Sequence, residues 1–337
     1  MVTIKDMAEK LGVSTTTVSN VIHGKTSQVS PQTVERVQKM LEEFDYVPNI
    51  NARNLAQSQT KIICVAIKAR KDKYPNILGD PFYSALVGAI EEETRKQGYF
   101  LMLYVSNDIT EIIKYVSSWN ADGLILIGML HDDYVRVRSK MKKPMVLIDS
   151  YLPEVVKRYV NIGLDDADGT YQMTHYLLEN GHQKVAFLAD NMEGVDYIRY
   201  IGFEKAMKEH GIEPQEDDLI IIRPGDQKDY SLREILEQSR NYTAYVCCSD
   251  YYAVMIMNYL MDNGVRVPED ISITGFDDND FARVVRPALT TVSQNTEEKG
   301  RTAVQYLIKL ISGEEVTERD VCLPIHLVIR DSVKKLK

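Results

Sequence analysis

Apolar positions recur along this chain in two rhythms. Over the first 46 residues the spacing is helical. Ile4, Met7, Ala8 and Leu11 fall at i, i+3, i+4 and i+7, one face of a helix. Gly12 interrupts the pattern, Ser14 offers an N-cap, and a second helix would turn Val18, Val21 and Ile22 inward. His23-Gly24-Lys25 closes it. Ser30-Pro31 is a start signal, with Ser as cap and Pro at the first helical position, and Val34, Val37, Leu41 and Phe44 form the stripe of a third helix. Pro48 separates this trio from residues 49–57, where Asn49 can cap and Ala52, Leu55 and Ala56 favour helix. A helix of about nine residues is marginal alone in water because nucleation is costly, so this one needs something to hold it. Gln57-Ser58-Gln59-Thr60 is polar and linker-like.

From residue 61 the rhythm changes to short continuous apolar runs: Ile62–Ile67, Phe100–Val105, Leu124–Ile127, Met145–Ile148, Val185–Leu188, Leu219–Ile222, Tyr245–Cys248 and Ile271–Thr274. Helical stretches lie between them, such as 83–97, 167–180, 196–210 and 250–263. Strand–helix alternation predicts parallel sheets covered on both faces by helices. The number of runs predicts two lobes rather than one sheet. The fold class is thus an all-α helix-turn-helix headpiece followed by an α/β two-lobed core of Rossmann-like subdomains.

Charge sharpens this division. The chain of 337 residues carries a net charge of −9, which argues against a nonspecific polyanion binder. In residues 1–60, however, Lys5, Lys10, Lys25, Arg36, Lys39 and Arg53 balance Asp6, Glu9, Glu35, Glu42, Glu43 and Asp45 one for one, so the acidic excess lies beyond them. The four cysteines, Cys64, Cys247, Cys248 and Cys322, sit in apolar stretches and read as buried thiols in a reducing compartment. No apolar run approaches a membrane span and no secretory leader is read, so a cytoplasmic location is expected. Trp119 reads as a packing residue.

On the second helix, Thr15, Thr16, Ser19 and Asn20 project away from the inward stripe, with Thr16 and Asn20 one turn apart. Short hydrogen-bonding side chains on an exposed helix suit base edges in a major groove: Asn can bridge adenine N6 and N7, and Thr can touch a thymine methyl. A solvated helix face would look the same from geometry alone. The segments TIKDMAEKLGVSTTTVSNVIHG (3–24) and VSPQTVERVQKMLEEFDYVPNINARNLA (29–56) closely resemble the headpiece of the lactose/galactose repressor (LacI/GalR) family. The resemblance continues through DPFY (80–83), ADGLIL (121–126), RYIGF (199–203), GVRVPEDISITGFDD (264–278), PALTTVSQ (287–294) and LVIRDS (327–332).

The resemblance implies a headpiece over 1–46, a hinge helix and linker over 47–60, and an effector-binding and dimerisation core of periplasmic-binding-protein-like fold over 61–337. The N-subdomain would span about 61–161 and 292–321, and the C-subdomain about 162–291 and 322–337, with crossings near 160–163, 289–293 and 321–325. It further implies DNA contacts from Thr3, Ser14, Thr15, Thr16, Thr17, Ser19, Asn20, His23 and Tyr46, and from the hinge residues Asn49, Ala52, Arg53 and Leu55. Leu55, in Ala52-Arg53-Asn54-Leu55, matches the leucine that wedges into the minor groove and kinks the duplex. Asn20 stands where many members carry Arg or His, and His23 where Asn is usual. A homodimer on palindromic operator DNA is the implied partnership, since two half-sites need two headpieces. No heptad tail follows Ser332, so a helical tetramer tail is not expected.

Ligands of open α/β sheets bind beyond the carboxyl ends of the strands. Residues just after the apolar runs, taken with the family positions, give Phe82, Tyr83, Asp149, Arg199, Gln227, Ser249, Asp250 and Asp277 as effector-binding candidates. Carboxylates, an arginine and aromatic faces suit a polyol, so a sugar or sugar phosphate leads and a purine is second. Asp250 equally suits a helix N-cap, and Asp278 a turn residue. Ser249 and Gln227 depart from residues some sugar-responsive members use. The stretch 68–78 is longer and more basic than the usual loop after the first strand. No catalytic motif, cofactor or metal pattern is read: Gly24-Lys25-Thr26 resembles a P-loop end, but Ser19 replaces the first Gly and no strand precedes it. A binding module, or an enzyme of that fold with interaction helices in front, is the competing reading.

Overall fold

The computed structural model describes residues 2–22, 24–46, 59–70, 73, 76–152 and 159–336. The expectations for His23 and for the hinge residues Asn49, Ala52, Arg53 and Leu55 lie outside these. The chain divides into two compact units, Met1–Thr60 and Lys61–Lys337.

Among the described residues of the first unit three helices form, α1 (Ile4–Leu11), α2 (Thr15–Ile22) and α3 (Pro31–Glu43). Each starts on a cap. Thr3 and Asp6 exchange hydrogen bonds in a capping box, Ser14 Oγ accepts from the Thr17 N–H at 3.0 Å, and Ser30 Oγ accepts from the Thr33 N–H at 3.2 Å. Gly12, at a φ of 65°, ends α1 in the left-handed region where a side chain would be strained. Met7, Ala8, Val18, Val21 and Val37 close over one another, flanked by Ile4, Leu11, Ile22, Val34 and Leu41, the predicted inward stripes.

Among its described residues the second unit holds two six-stranded sheets. The first lobe starts with β1 (Ile62–Lys68), α4 (Pro81–Lys96), β2 (Phe100–Ser106), α5 (Ile109–Ser118), β3 (Gly123–Ile127), α6 (His131–Lys140), β4 (Met145–Ile148) and β5 (Val160–Leu164). The chain then builds α7 (Asp166–Glu179), β6 (Val185–Ala189), α8 (Gly194–Glu209), β7 (Leu219–Ile221), α9 (Lys228–Gln238), β8 (Ala244–Cys247), α10 (Asp250–Asp262), β9 (Ser272–Asp277), α11 (Asp280–Val284) and β10 (Thr290–Gln294). It returns as α12 (Thr296–Ile311) and β11 (Asp320–Leu323) to the first lobe and ends with β12 (Ile325–Val328) in the second. Strand orders are β2-β1-β3-β4-β5-β11 and β7-β6-β8-β9-β10-β12, the same winding twice. All eight apolar runs became strands, and all but the edge strand β2, which is only half-buried, bury their centres because helices cover both faces. Ile63, Val65 and Ile67 of β1 face one core while Cys64 and Ala66 face the other, the period of two expected of a strand.

Two of the three crossings differ from expectation by a few residues, and the third falls within 321–325. β5 pairs through its length with β4 and β11, so the first crossing follows Leu164. β10 belongs wholly to the second sheet, so the second follows Gln294. The third falls between Leu323 and Ile325. A ladder is not split within a strand, so lobe boundaries move to where pairing ends. Two further expectations are corrected. Trp119 is 59% exposed at the end of α5. Cys322 is also exposed, because β11 is an edge strand. Among the described residues no helix is long and apolar enough to cross a membrane.

Candidate functional site

On the headpiece, the capping geometry sorts the polar face of α2. Ser14 and Thr17 spend their hydroxyls on each other at 2.9 Å and on the helix start. Thr3 does the same for α1 with Asp6, whose carboxyl these hydrogen bonds hold below the usual range. Thr15 and Thr16 are exposed, and Ser19 and Asn20 are half-buried. Tyr46 packs against the headpiece core. The expected contacts thus divide: Thr15, Thr16, Ser19 and Asn20 lie along the outward side of α2, whereas Thr3, Ser14, Thr17 and Tyr46 hold the helices that carry it.

In the second unit a cavity of about 930 Å³ opens between the lobes. It is lined by residues that follow β1 (Ala69, Arg70, Lys73), β3 (Gly128 to His131), β4 (Asp149, Tyr151) and β6 (Asp190, Asn191), and by the start of α8 (Gly194 to Asp196). These are carboxyl ends of strands next to the point where each sheet's order reverses, the place where open α/β sheets bind ligands. Of the predicted residues, Tyr83 and Asp149 line it. Phe82 stands edge-on to Tyr83, with ring centroids 5.2 Å apart.

Arg199 and Asp277 are held just behind. Arg199 reaches the second lobe's interior because Gly202 lets α8 lie against the Ala167 carbonyl of α7, a spot where a Cβ would collide. Its guanidinium donates to Asp166 Oδ1 at 2.7 Å and to the Cys248 carbonyl, and its Cζ lies 3.5 Å from the Phe276 ring centroid. Asp166 also accepts from the Tyr151 hydroxyl. Burial pushes the Asp277 carboxyl up, against the pull of Arg199. Gln294 Nε2 donates to Asp277 Oδ1 at 2.6 Å.

Three further candidates take places away from the cavity lining. Ser249 is itself the N-cap of α10, accepting from the Tyr252 N–H at 3.5 Å. Asp250 is fully buried, and its two oxygens accept from Thr291 Oγ1 at 2.6 Å and the Asn279 N–H at 2.9 Å, which locks β10 and the β9–α11 turn together. Neither lines the cavity. Gln227 is exposed in a short turn before α9, away from it. A helix start after a strand can serve a cap or a ligand; here Ser249 caps α10 and Asp250 ties its start to β10 and the β9–α11 turn.

The structure adds residues that the sequence reading missed. Lys73 Nζ lies 3.0 Å from Asp190 Oδ2, and Tyr252 Oη donates to the same oxygen at 2.6 Å. Burial raises the Asp190 carboxyl, but Lys73, Tyr252 and Asn191 bring it down to about 2. Asp196 is raised to about 6 by burial, with Lys73 opposing and Asp190 adding. Fully buried Lys299 donates to both oxygens of Asp149, each at 2.7 Å. Asp190 follows an apolar run just as Asp149 does, so the same rule finds it. Lys299 is legible as a charge on an apolar stripe, i, i+4, i+8 with Ala303 and Leu307. The cleft therefore presents paired charges, hydroxyls and the rings of Tyr83, Tyr151 and His131 to anything that enters. Such a lining suits a small polar molecule with many hydroxyls.

Known proteins resemble this chain along its length. Residues 3–49 match the family described as bacterial regulatory proteins, lacI family, and residues 174–333 match a periplasmic binding protein-like domain. The HTH-type transcriptional regulator RegA of Clostridium saccharobutylicum is 32% identical over 340 residues, 98% of either chain. The Lac repressor dimer bound to operator and the anti-inducer ONPF is similar with a TM-score of 0.84 at 27% identity, covering 98% of each chain. A CelR–cellobiose complex gives a TM-score of 0.72 at 27% identity, covering 98% of this chain and 100% of that one.

Proposed function

The chain belongs to the lacI family of bacterial regulatory proteins and is a helix-turn-helix transcriptional regulator, and from that premise we propose that it is a repressor whose grip on operator DNA is set by a sugar or sugar derivative in the interlobe cleft. Two copies bind a palindromic operator, acting in the cytoplasm without chemical turnover. Thr15, Thr16, Ser19 and Asn20 read bases, Thr3, Ser14, Thr17, His23 and Tyr46 add contacts to the DNA backbone, and Asn49, Ala52, Arg53 and Leu55 engage the minor groove. Tyr83, Asp149, Arg199 and Asp277 belong to the effector site, joined by Lys299, Asp190 and Asp196.

One observation carries the reading: the cavity is lined from both lobes at the carboxyl ends of β1, β3, β4 and β6. A ligand there contacts both halves, so it binds one lobe arrangement better than another and shifts their equilibrium. The similar protein solved with cellobiose supports a sugar over other polar ligands. A gel shift with a library of palindromic duplexes, with and without neutral sugars, tests it. Specific retention of one duplex class that a sugar alters is the expected result. Sequence-independent binding would favour the binding-module reading instead.

A further inference from the structure

Helix α12 turns Lys299, Ala303 and Leu307 toward the first-lobe interior. The Lys299 ammonium is fully buried, and besides its two bonds to Asp149 it donates to Gln294 Oε1 at 2.6 Å. All three ammonium protons are then used. It also lies 5.5 Å from the Phe82 ring centroid. Taking an ammonium out of water is costly, and a methionine of similar volume would fill the space without that cost. Packing therefore does not account for a charge here. Its partner does: Asp149 lines the cavity, on a backbone held at a φ of 50°, in the left-handed region that favours glycine and, among other residues, Asp and Asn.

Charged and titratable groups around Asp149 come from several elements. Lys299 on α12, Asp166 on α7 and Arg199 on α8 act on it, as do the hydroxyls of Tyr83 on α4 and Tyr151 after β4. Lys299 is in direct contact. Burial pushes this carboxyl up and Lys299 pulls against it. A neutral acid would present a donor to the cavity, whereas the anion presents acceptors only.

We propose that Lys299 is the positioning residue that sets effector chemistry on the first-lobe side of the cleft: it holds Asp149 as an oriented, acceptor-only anion, so this wall selects a ligand that offers hydroxyl donors. The proposal rests on the cleft being the effector site. Gln294 extends the arrangement, because its amide passes from Lys299 to Asp277 of the second lobe. A ligand hydroxyl on Asp149 therefore loads a hydrogen-bond chain that runs through the crossing.

Two measurements on the full-length protein test this separately. In ligand-free protein, the 13C carboxyl resonance of Asp149, assigned with Asp149→Asn, reports its titration. In wild type it stays ionised at neutral pH; in Lys299→Met its midpoint rises by about one pH unit or more, and Lys299→Arg restores it. Lys299→Gln, neutral but still a donor, replaces the methionine variant if that fails to fold. The second measurement is thermal shift with glucose, galactose, ribose and cellobiose at about pH 6 and about pH 8. The sugar that shifts wild type equally at both pH values should shift Lys299→Met less at the lower one than at the higher one. An Asp149 titration unmoved by loss of Lys299, or equal shifts at both pH values in that variant, overturns the proposal. A panel silent on wild type overturns the sugar reading, while the carboxyl titration still decides the role of Lys299.

Discussion

The headpiece and the cleft recognise their partners with opposite economies. On α2 the side chains that hold the helix (Ser14, Thr17) are separate from those facing outward (Thr15, Thr16), and the outward ones are short, neutral and solvated. In the cleft the charged groups are buried and already bonded to one another, as in Arg199–Asp166, Lys299–Asp149 and Lys73–Asp190. A surface reader loses little fold stability when one contact residue changes. A buried network does not have that freedom, because removing one partner strands the other charge out of water.

That contrast breaks or sharpens under substitution. The largest effect belongs to Arg199→Met, which strands Asp166 and the Cys248 carbonyl. Core stability should fall by about 3–5 kcal/mol in calorimetry, with the helical headpiece signal retained. A loss below 1 kcal/mol would remove the distinction. Next is Asp250, raised to about 6 by burial against its hydrogen bonds from Thr291 and Asn279. A carboxyl whose folded pKa is raised stabilises the fold fully below its unfolded value and loses that contribution as pH rises through about 6. Asp250→Asn, with the Thr291 hydroxyl turned to accept, should flatten about 2–3 kcal/mol of stability change between roughly pH 4 and pH 6. Denaturant melts across that window measure it.

On the other side of the comparison, Asn20→Ala should leave melting unchanged and cost about 1–3 kcal/mol of preference for the cognate over a one-base variant operator. Competition gel shifts read this, and equal loss on every duplex would make Asn20 a mere phosphate contact. Ser14→Ala is the smallest. It should cost about 1 kcal/mol of headpiece stability, visible as faster amide exchange at the start of α2, with the core untouched.

Much of this architecture is readable along the chain. Periodicity located α1 to α3, and each of the eight apolar runs is a strand, because a strand buried on both faces needs a continuous apolar run and little else. Asp149 and Tyr83 were found by their place after a strand or at a helix start. The rule that found them also pointed to Asp250, and there it led to a residue that ties β10 to the β9–α11 turn. It passed over Asp190, although the signal was the same. Trp119 misled because its size argues for burial, while its position at the end of α5 leaves it in solvent.

Local chain chemistry alone was enough for the helices and their caps, for the alternation of strands and helices, and for the outward polar face of α2. These depend on neighbours within a few residues, and hydrogen-bond partners three or four positions away are written in the order of the residues. Three-dimensional packing chose the rest. Asp149 and Lys299 lie 150 positions apart and Lys73 and Asp190 meet from different lobes, so neither pair leaves a mark in local spacing. Long-range ion pairs form only once two sheets are wound and folded back across three crossings, and only then does a buried charge acquire a partner and a meaning.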